Sequence, residues 1–147
     1  VEGAENLETE GGYAKEASDD FKKKQEKLLS ETLKKIDIVV CTALIPGKKA
    51  PVIIKEDMIN NMNAGSIIYD LAAIQGGNTA YTKVDEIVDK NGVKIMGESN
   101  ILNRLPTSAS NLYAKNVFNF VSNLYDNENK KININLEDEI IEKTLIK

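Results

Sequence analysis

Three short glycine-bearing stretches are where this sequence could stage chemistry: Gly11-Gly12-Tyr13-Ala14, Ala43-Leu44-Ile45-Pro46-Gly47 and Gly76-Gly77-Asn78. Glycine lets the backbone turn where other residues resist and lets a ligand approach the main chain closely. The second and third stretches follow directly on two apolar runs, IDIVVCTALI from Ile36 and SIIYDLAA from Ser66. In open α/β sheets ligands bind outside the carboxyl ends of the strands, so both loops lie where a ligand belongs. Spacing alone leaves these glycines two roles, ligand approach or simple turn-making. Asp70 stands at the end of the second run, where a carboxylate either caps loop amides or hydrogen-bonds a ligand. Tyr13, between glycine and alanine, either folds over a bound ring or packs on the core.

Other chemistries are closed to these residues. There is no histidine, which removes Ser-His-Asp and Cys-His nucleophile arrangements and His-ligated zinc within this chain. A single cysteine, Cys41, excludes an internal disulfide and a cysteine-cluster metal site. It sits inside an apolar run and reads as a buried, inert thiol. The net charge of -4 argues against nucleic acid as a partner. No apolar stretch reaches the roughly 18 residues of a membrane span. No GxGxxG occurs, so the usual pyrophosphate-binding fingerprint is missing.

The elements that must position the loops follow from periodicity. The 147 residues, 41% hydrophobic and 29% charged, suit one globular domain. Residues 1–17 are acidic, glycine-bearing and aperiodic, and read as a loop. Ser18 is placed to cap a helix whose first turn carries Asp19 and Asp20, with Phe21, Leu28, Leu29 and Leu33 at helical spacing. The two β-branched runs read as strands buried on both faces, the habit of parallel sheets. Between them KEDMINNMN, residues 55–63, fits a short helix with Met58, Ile59 and Met62 on one side. TKVDEIVD and VKIMG flank Asn91-Gly92, a strong tight-turn signal, and the run from Val93 supplies a third sheet strand. A long amphipathic helix follows over about 107–125, striped by Leu112, Tyr113, Val117, Phe120, Val121 and Leu124. DNENKK is a polar linker, and the tail ININLEDEIIEKTLIK can make one more strand or short helix. The pattern predicts an α/β fold, half of a doubly wound parallel sheet, with strands near 36–42, 66–71 and 93–97 as parallel neighbours.

The strings GGYAKEASDDFKKKQ, DIVVCTALIPGKKAPVII, GSIIYDLAAIQGGN, NGVKIMG and RLPTSASNLYAKNVFNF together resemble the NAD(H)-binding component, the alpha subunit, of the proton-translocating NAD(P) transhydrogenases. The likeness runs from Gly11 to about Leu145, and alanine dehydrogenase is a more distant relative of the same fold. The resemblance implies that Gly12 and Tyr13 belong to a mobile loop that closes over NAD(H). It implies that Gln25 contributes to the nucleotide site and that Ala43 and Leu44 pack near the cofactor. It places Asp70, Gly76, Gly77 and Asn78 in the next strand-end loop, near the nicotinamide. It also implies that the chain begins late in the family's Rossmann-like nucleotide-binding domain, with the first βαβ unit and its glycine fingerprint preceding Val1. Residues 1–126 would then be the C-terminal part of that domain, and 127–147 a linker and tail that packs on the N-terminal region.

Further expectations follow from the resemblance: hydride transfer between NADH and NADP coupled to proton movement, and NADP(H) held on a partner domain. The partners are that NADP-binding domain, a membrane domain and a second copy of the subunit, and nucleic acid is not among them. The component would be a soluble domain attached to a membrane complex. That membrane is the mitochondrial inner membrane in a eukaryote; in a bacterium the domain lies on the cytoplasmic side of the inner membrane. Alanine dehydrogenases carry a catalytic carboxylate in the sequence D-Q-G-G, and Ile74 stands at that position here. This departure disfavours the amino-acid oxidoreductase reading. A nucleotide-fold piece that no longer binds NAD is the other alternative.

Overall fold

The computed structural model describes residues 18–146. Contacts divide the chain after Ser99 into two compact units. The boundary expected after residue 126 falls inside the second of them.

The first unit opens with helix α1, Asp19–Leu33, whose N-cap is Ser18: its hydroxyl accepts from the Phe21 amide at 3.3 Å. Strand β1, Ile38–Cys41, is followed by helix α2, Glu56–Asn60, and strand β2, Ile67–Asp70. Strands β3, Ile87–Lys90, and β4, Val93–Gly97, complete one sheet in the order β1-β2-β4-β3. β1 pairs parallel to β2 with Ile38 opposite Ile67 and Cys41 opposite Asp70, and β2 pairs parallel to β4 with Asp70 opposite Gly97. The three expected parallel neighbours are therefore in place. β3 runs antiparallel on β4 through the tight turn at Asn91-Gly92, where φ is 53° and 83°.

The core lies on one face of this sheet. Leu33 of α1 and Met58 and Ile59 of α2 cover Cys41, Ile68, Val93 and Ile95, with Ile54 and Met62 filling the margin. Helical spacing put Met58, Ile59 and Met62 on one side, and all three are buried. The expectation that the first two strands are buried on both faces is corrected. Ile38 is 66% and Val40 58% exposed. Side chains alternate along a strand, so a run with helices on one face buries only every second residue. Among the described residues of this unit nothing covers the other face, although the run is apolar throughout.

The second unit holds helices α3, Ile101–Arg104, and α4, Pro106–Asn123, a short hairpin of β5, Tyr125–Asp126, with β6, Lys131–Ile132, and helix α5, Glu139–Thr144. Pro106 occupies the first turn of α4, where its missing N–H costs nothing. The α4 stripe is present as read, but Leu112, Tyr113, Val117, Phe120 and Val121 are all exposed. The tail contributes α5, capped by Asp138, and Ile141 is buried beside Leu124, Ile132 and Ile134.

Candidate functional site

β1 and β2 end side by side, and their carboxyl-end loops are stitched together by three polar side chains. The first is Asp70, fully buried at the last position of β2. Its Oδ1 accepts from the Ala72 amide at 2.9 Å. Its Oδ2 accepts from the Asn78 amide and from the Thr82 hydroxyl, each at 2.6 Å. Both ends of the loop 72–78 thus hang on one carboxylate. A carboxylate is an acceptor with several lone pairs, which suits it to gathering amides that a sharp turn leaves without partners.

The second is Asn78, also fully buried. Its side chain donates to the carbonyls of Ala43 at 2.9 Å and Pro51 at 2.8 Å, and accepts from the Ala43 amide at 2.9 Å. Its own carbonyl accepts from the amides of Ile53 and Ile54 at 2.8 and 2.9 Å. One residue therefore fixes the end of β1, the segment 51–54 and the loop after β2. The third is Gln75. Its carbonyl accepts from the Ala50 amide at 2.7 Å. With the nitrogen of its side-chain amide turned inward, it donates to the carbonyls of Lys48 at 3.0 Å and Ile45 at 3.1 Å.

The turn between these anchors is a short helical segment, Ala73–Gln75, ended by Gly76 at φ 100°. Gly77 follows at φ 79°, and a Cβ added there would lie 2.4 Å from the Thr82 Cβ. Gly77 is buried and Gly76 exposed. The side-chain stem of Lys49 lies across Gly76, close enough that an added Cβ would meet its Cε at 2.9 Å.

The site residues expected from sequence thus separate into two groups. Asp70, Gly77 and Asn78 are interior and hold the loops. Ala43, half-buried, and Leu44 and Gly76, exposed, form the outer rim at the strand ends. Gln25 lies exposed on α1 and lines a cleft of about 630 Å³ with Leu29, Pro51, Val52 and Ile53. That cleft connects to the strand-end loops through the 51–54 segment bound by Asn78. Gly12 and Tyr13 lie outside the described residues. Sequence reading passed over Thr82 and Gln75 as site residues. Each acts through a tertiary hydrogen bond, and no local pattern marks such a partner in advance.

Ile74 is 66% exposed on the turn, beside the rim. A side chain at this position faces solvent, not the core. Cys41, at the end of β1, is buried, and burial together with the charge of Asp70 pushes its thiol up to about 12. It is the inert thiol the sequence implied. Among the described residues no cluster of three or more His, Cys, Asp or Glu side chains could hold a metal ion. No described helix is long and apolar enough to cross a membrane.

The rim fits part of a dinucleotide. Leu44, Ile45 and Ile74 expose apolar surface on two loops laced together, and the Gly76 backbone is open beside them. Such a surface suits a flat heterocycle, with main-chain groups left to orient its polar substituent. It does not suit a pyrophosphate, which needs a glycine-rich loop opening a helix N-terminus.

A parallel sheet with helices and its strand-end loops joined in a single rim defines a Rossmann-like, nucleotide-binding type of α/β domain. The chain belongs to the family described as "Alanine dehydrogenase/PNT, C-terminal domain", which it matches over residues 2–147. It is 45% identical over 145 residues to an NAD(P) transhydrogenase alpha subunit of Rhodospirillum rubrum, covering 99% of this chain and 38% of the relative. The corresponding subunit of Rickettsia prowazekii is 42% identical over 143 residues, covering 97% of this chain and 36% of the relative. The solved transhydrogenase from Sinorhizobium meliloti superposes with a TM-score of 0.67 at 36% identity, covering 86% of this chain and 35% of that one. A solved L-alanine dehydrogenase superposes with a TM-score of 0.57 at 22% identity, over 65% of this chain and 28% of that one, and so shares the fold. The chain spans a little over a third of the length of the curated relatives it matches.

Proposed function

We propose that this chain is the NAD(H)-binding part of an NAD(P) transhydrogenase alpha subunit. The observation that carries the reading is 45% identity to such a subunit across 99% of the chain. The site supports it. Ala43, Leu44, Gly76 and Gln25 are the accessible residues that would touch the nucleotide, while Asp70, Gly77 and Asn78 hold the loops from inside. Bound NADH supplies a hydride, two electrons with one proton, to the nicotinamide of NADP on a partner domain. The chain's own task is to orient the ring and exclude water, which is catalysis by positioning. Gly12 and Tyr13 act as the lid that completes the enclosure, so Tyr13→Ala slows hydride transfer more than it weakens NADH binding.

Residues 1–126 belong to the nucleotide-binding domain, and 127–147 form the tail that packs on the N-terminal part of the same subunit. The assembly contains a homodimer of this subunit, an NADP-binding domain and a membrane domain that couples the reaction to proton translocation. This chain lies in the aqueous part of that complex, at the mitochondrial inner membrane in a eukaryote or the cytoplasmic side of the inner membrane in a bacterium. Amino-acid oxidation is disfavoured because Ile74 can neither take nor give the proton it requires. The test uses the full-length subunit. NADH fluorescence should saturate on titration, and with the NADP-binding partner added NADH should reduce an NADP analogue. Absence of saturable NADH binding would overturn the reading.

A further inference from the structure

The loop that carries Gly76 and Gly77 is held by a directed chain of hydrogen bonds, and the proton count sets its direction. Asp70 Oδ2 accepts from the Thr82 hydroxyl at 2.6 Å. A hydroxyl has one proton to give, so Thr82 has none left for its second neighbour, Thr79 Oγ1 at 2.7 Å. Thr79 is therefore the donor in that contact, and its oxygen in turn accepts from the Tyr81 amide at 3.2 Å. The chain reads Tyr81 N–H to Thr79, Thr79 O–H to Thr82, Thr82 O–H to Asp70. Asp70 then grips the amides of Ala72 and Asn78 on either side of the glycine turn. Each donor in such a series polarises the next.

Thr82 also meets the turn directly. A Cβ added to Gly77 would lie 2.4 Å from the Thr82 Cβ and 2.5 Å from its Cγ2. The Thr82 side chain is thus packed against the Gly77 backbone while its oxygen fixes the carboxylate that holds both ends of the turn. Thr82 reaches Asp70 through a side-chain hydroxyl, whereas Ala72 and Asn78 reach it through main-chain amides. Removing the Thr82 hydroxyl takes one of two donors from Oδ2 and frees the carboxylate to rotate. The Ala72 and Asn78 amides would follow it, and with them the exposed Gly76.

We propose that Thr82 is a positioning residue for the nucleotide site, its hydroxyl setting the height of the Gly76–Gly77 turn at the strand-end rim through Asp70. This rests on the nucleotide-binding reading given above. Thr82 touches no ligand itself; it acts through Asp70 and the backbone. A catalytic geometry is sensitive to misplacement of its supporting groups, so the loss should appear in binding and turnover before it appears in folding.

The test compares Thr82→Val, Thr82→Ser and Thr79→Val in the full-length subunit, with NADH as the titrant and far-UV circular dichroism as the check on folding. Thr82→Val keeps the shape and loses the donor. It should raise the NADH Kd and lower kcat in the reconstituted reaction by about tenfold each, as loss of an outer-shell partner commonly does. Thr82→Ser keeps the donor and should stay within about twofold of the wild type. Thr79→Val leaves the Thr82 to Asp70 bond intact and should fall between them. If Thr82→Val does not fold, Thr82→Ala against Thr82→Ser makes the same comparison. Wild-type affinity and turnover in Thr82→Val, or an equal loss in Thr82→Ser and Thr82→Val, would overturn the proposal while NADH binding by the wild type stands. Failure of the wild type to bind NADH would overturn the functional reading and this inference with it.

Discussion

Asn78 and Ala43, thirty-five residues apart, exchange two hydrogen bonds of 2.9 Å: the Ala43 amide donates to Asn78 Oδ1, and Asn78 Nδ2 donates to the Ala43 carbonyl. The side-chain amide reproduces the pairing that a neighbouring strand would offer. It thereby extends the β1–β2 ladder one step past the point where the backbones part. The cost of burying an amide is offset only because all of its polar atoms are matched.

Asn78→Asp should undo this. The carboxylate cannot donate, so the carbonyls of Ala43 and Pro51 lose their partner, and a second acid is buried beside Asp70. Each orphaned buried group costs about 1–3 kcal/mol. Hydrogen exchange followed by mass spectrometry should show faster exchange over residues 42–54 and 72–80 in the variant, with α2 little changed. Unaltered protection over 42–54 would contradict this.

Gly77 and Gly47 separate backbone strain from steric room. Both have positive φ, +79° and +69°, but a Cβ at Gly77 collides with Thr82 whereas one at Gly47 meets nothing within 4 Å. Gly47→Ala should cost about 1 kcal/mol from its backbone conformation. Gly77→Ala should cost clearly more and should displace the turn, lowering both thermal midpoint and NADH affinity. Equal midpoints for the two variants would show that Thr82 yields without penalty.

Ile74 is exposed, so Ile74→Asp should change stability by no more than about 0.5 kcal/mol. It should also leave alanine-driven NAD reduction at background, because a carboxylate alone does not build a substrate site. Measurable alanine oxidation by the unaltered full-length subunit would refute the transhydrogenase reading.

Cys41 titrates at about 12 in the fold, raised from 9.0 by burial and then by the charge of Asp70. At a given pH below both values its thiolate fraction is about a thousandfold lower than that of a free thiol. Maleimide labelling at pH 8 should therefore be slow in the native protein and fast in denaturant. The sign of the stability effect follows. The folded state holds the proton more tightly, so the contribution is intact below pH 9, declines above it, and is gone once pH passes 12. Cys41→Ser should flatten the loss of stability between about pH 9 and 11.

Much of the scaffold was legible from residue order because its signals are local. Ser18 with Asp19 and Asp20 marks a helix start, Met58, Ile59 and Met62 mark a buried helical side, and Asn91-Gly92 marks a hairpin. Each rests on backbone preferences or on spacing within one or two turns of chain. The parallel pairing of β1, β2 and β4 was legible for a related reason: continuous β-branched runs separated by a helix have few ways to pair. The recurring strings added the family. Local pattern failed for Ile38 and Val40, whose apolar character says they can be buried but not on which face the covering helices lie. It also could not divide Asp70, Gly77 and Asn78, which face inward, from Ala43, Leu44 and Gly76, which face out. That division is set by contacts such as Asn78 with Ala43, Gln75 with Ala50 and Thr82 with Asp70. A hydrogen bond is satisfied by distance in space and not by distance along the chain, so only the folded arrangement of the two strand ends could decide which polar side chains hold the site and which are left to meet a ligand.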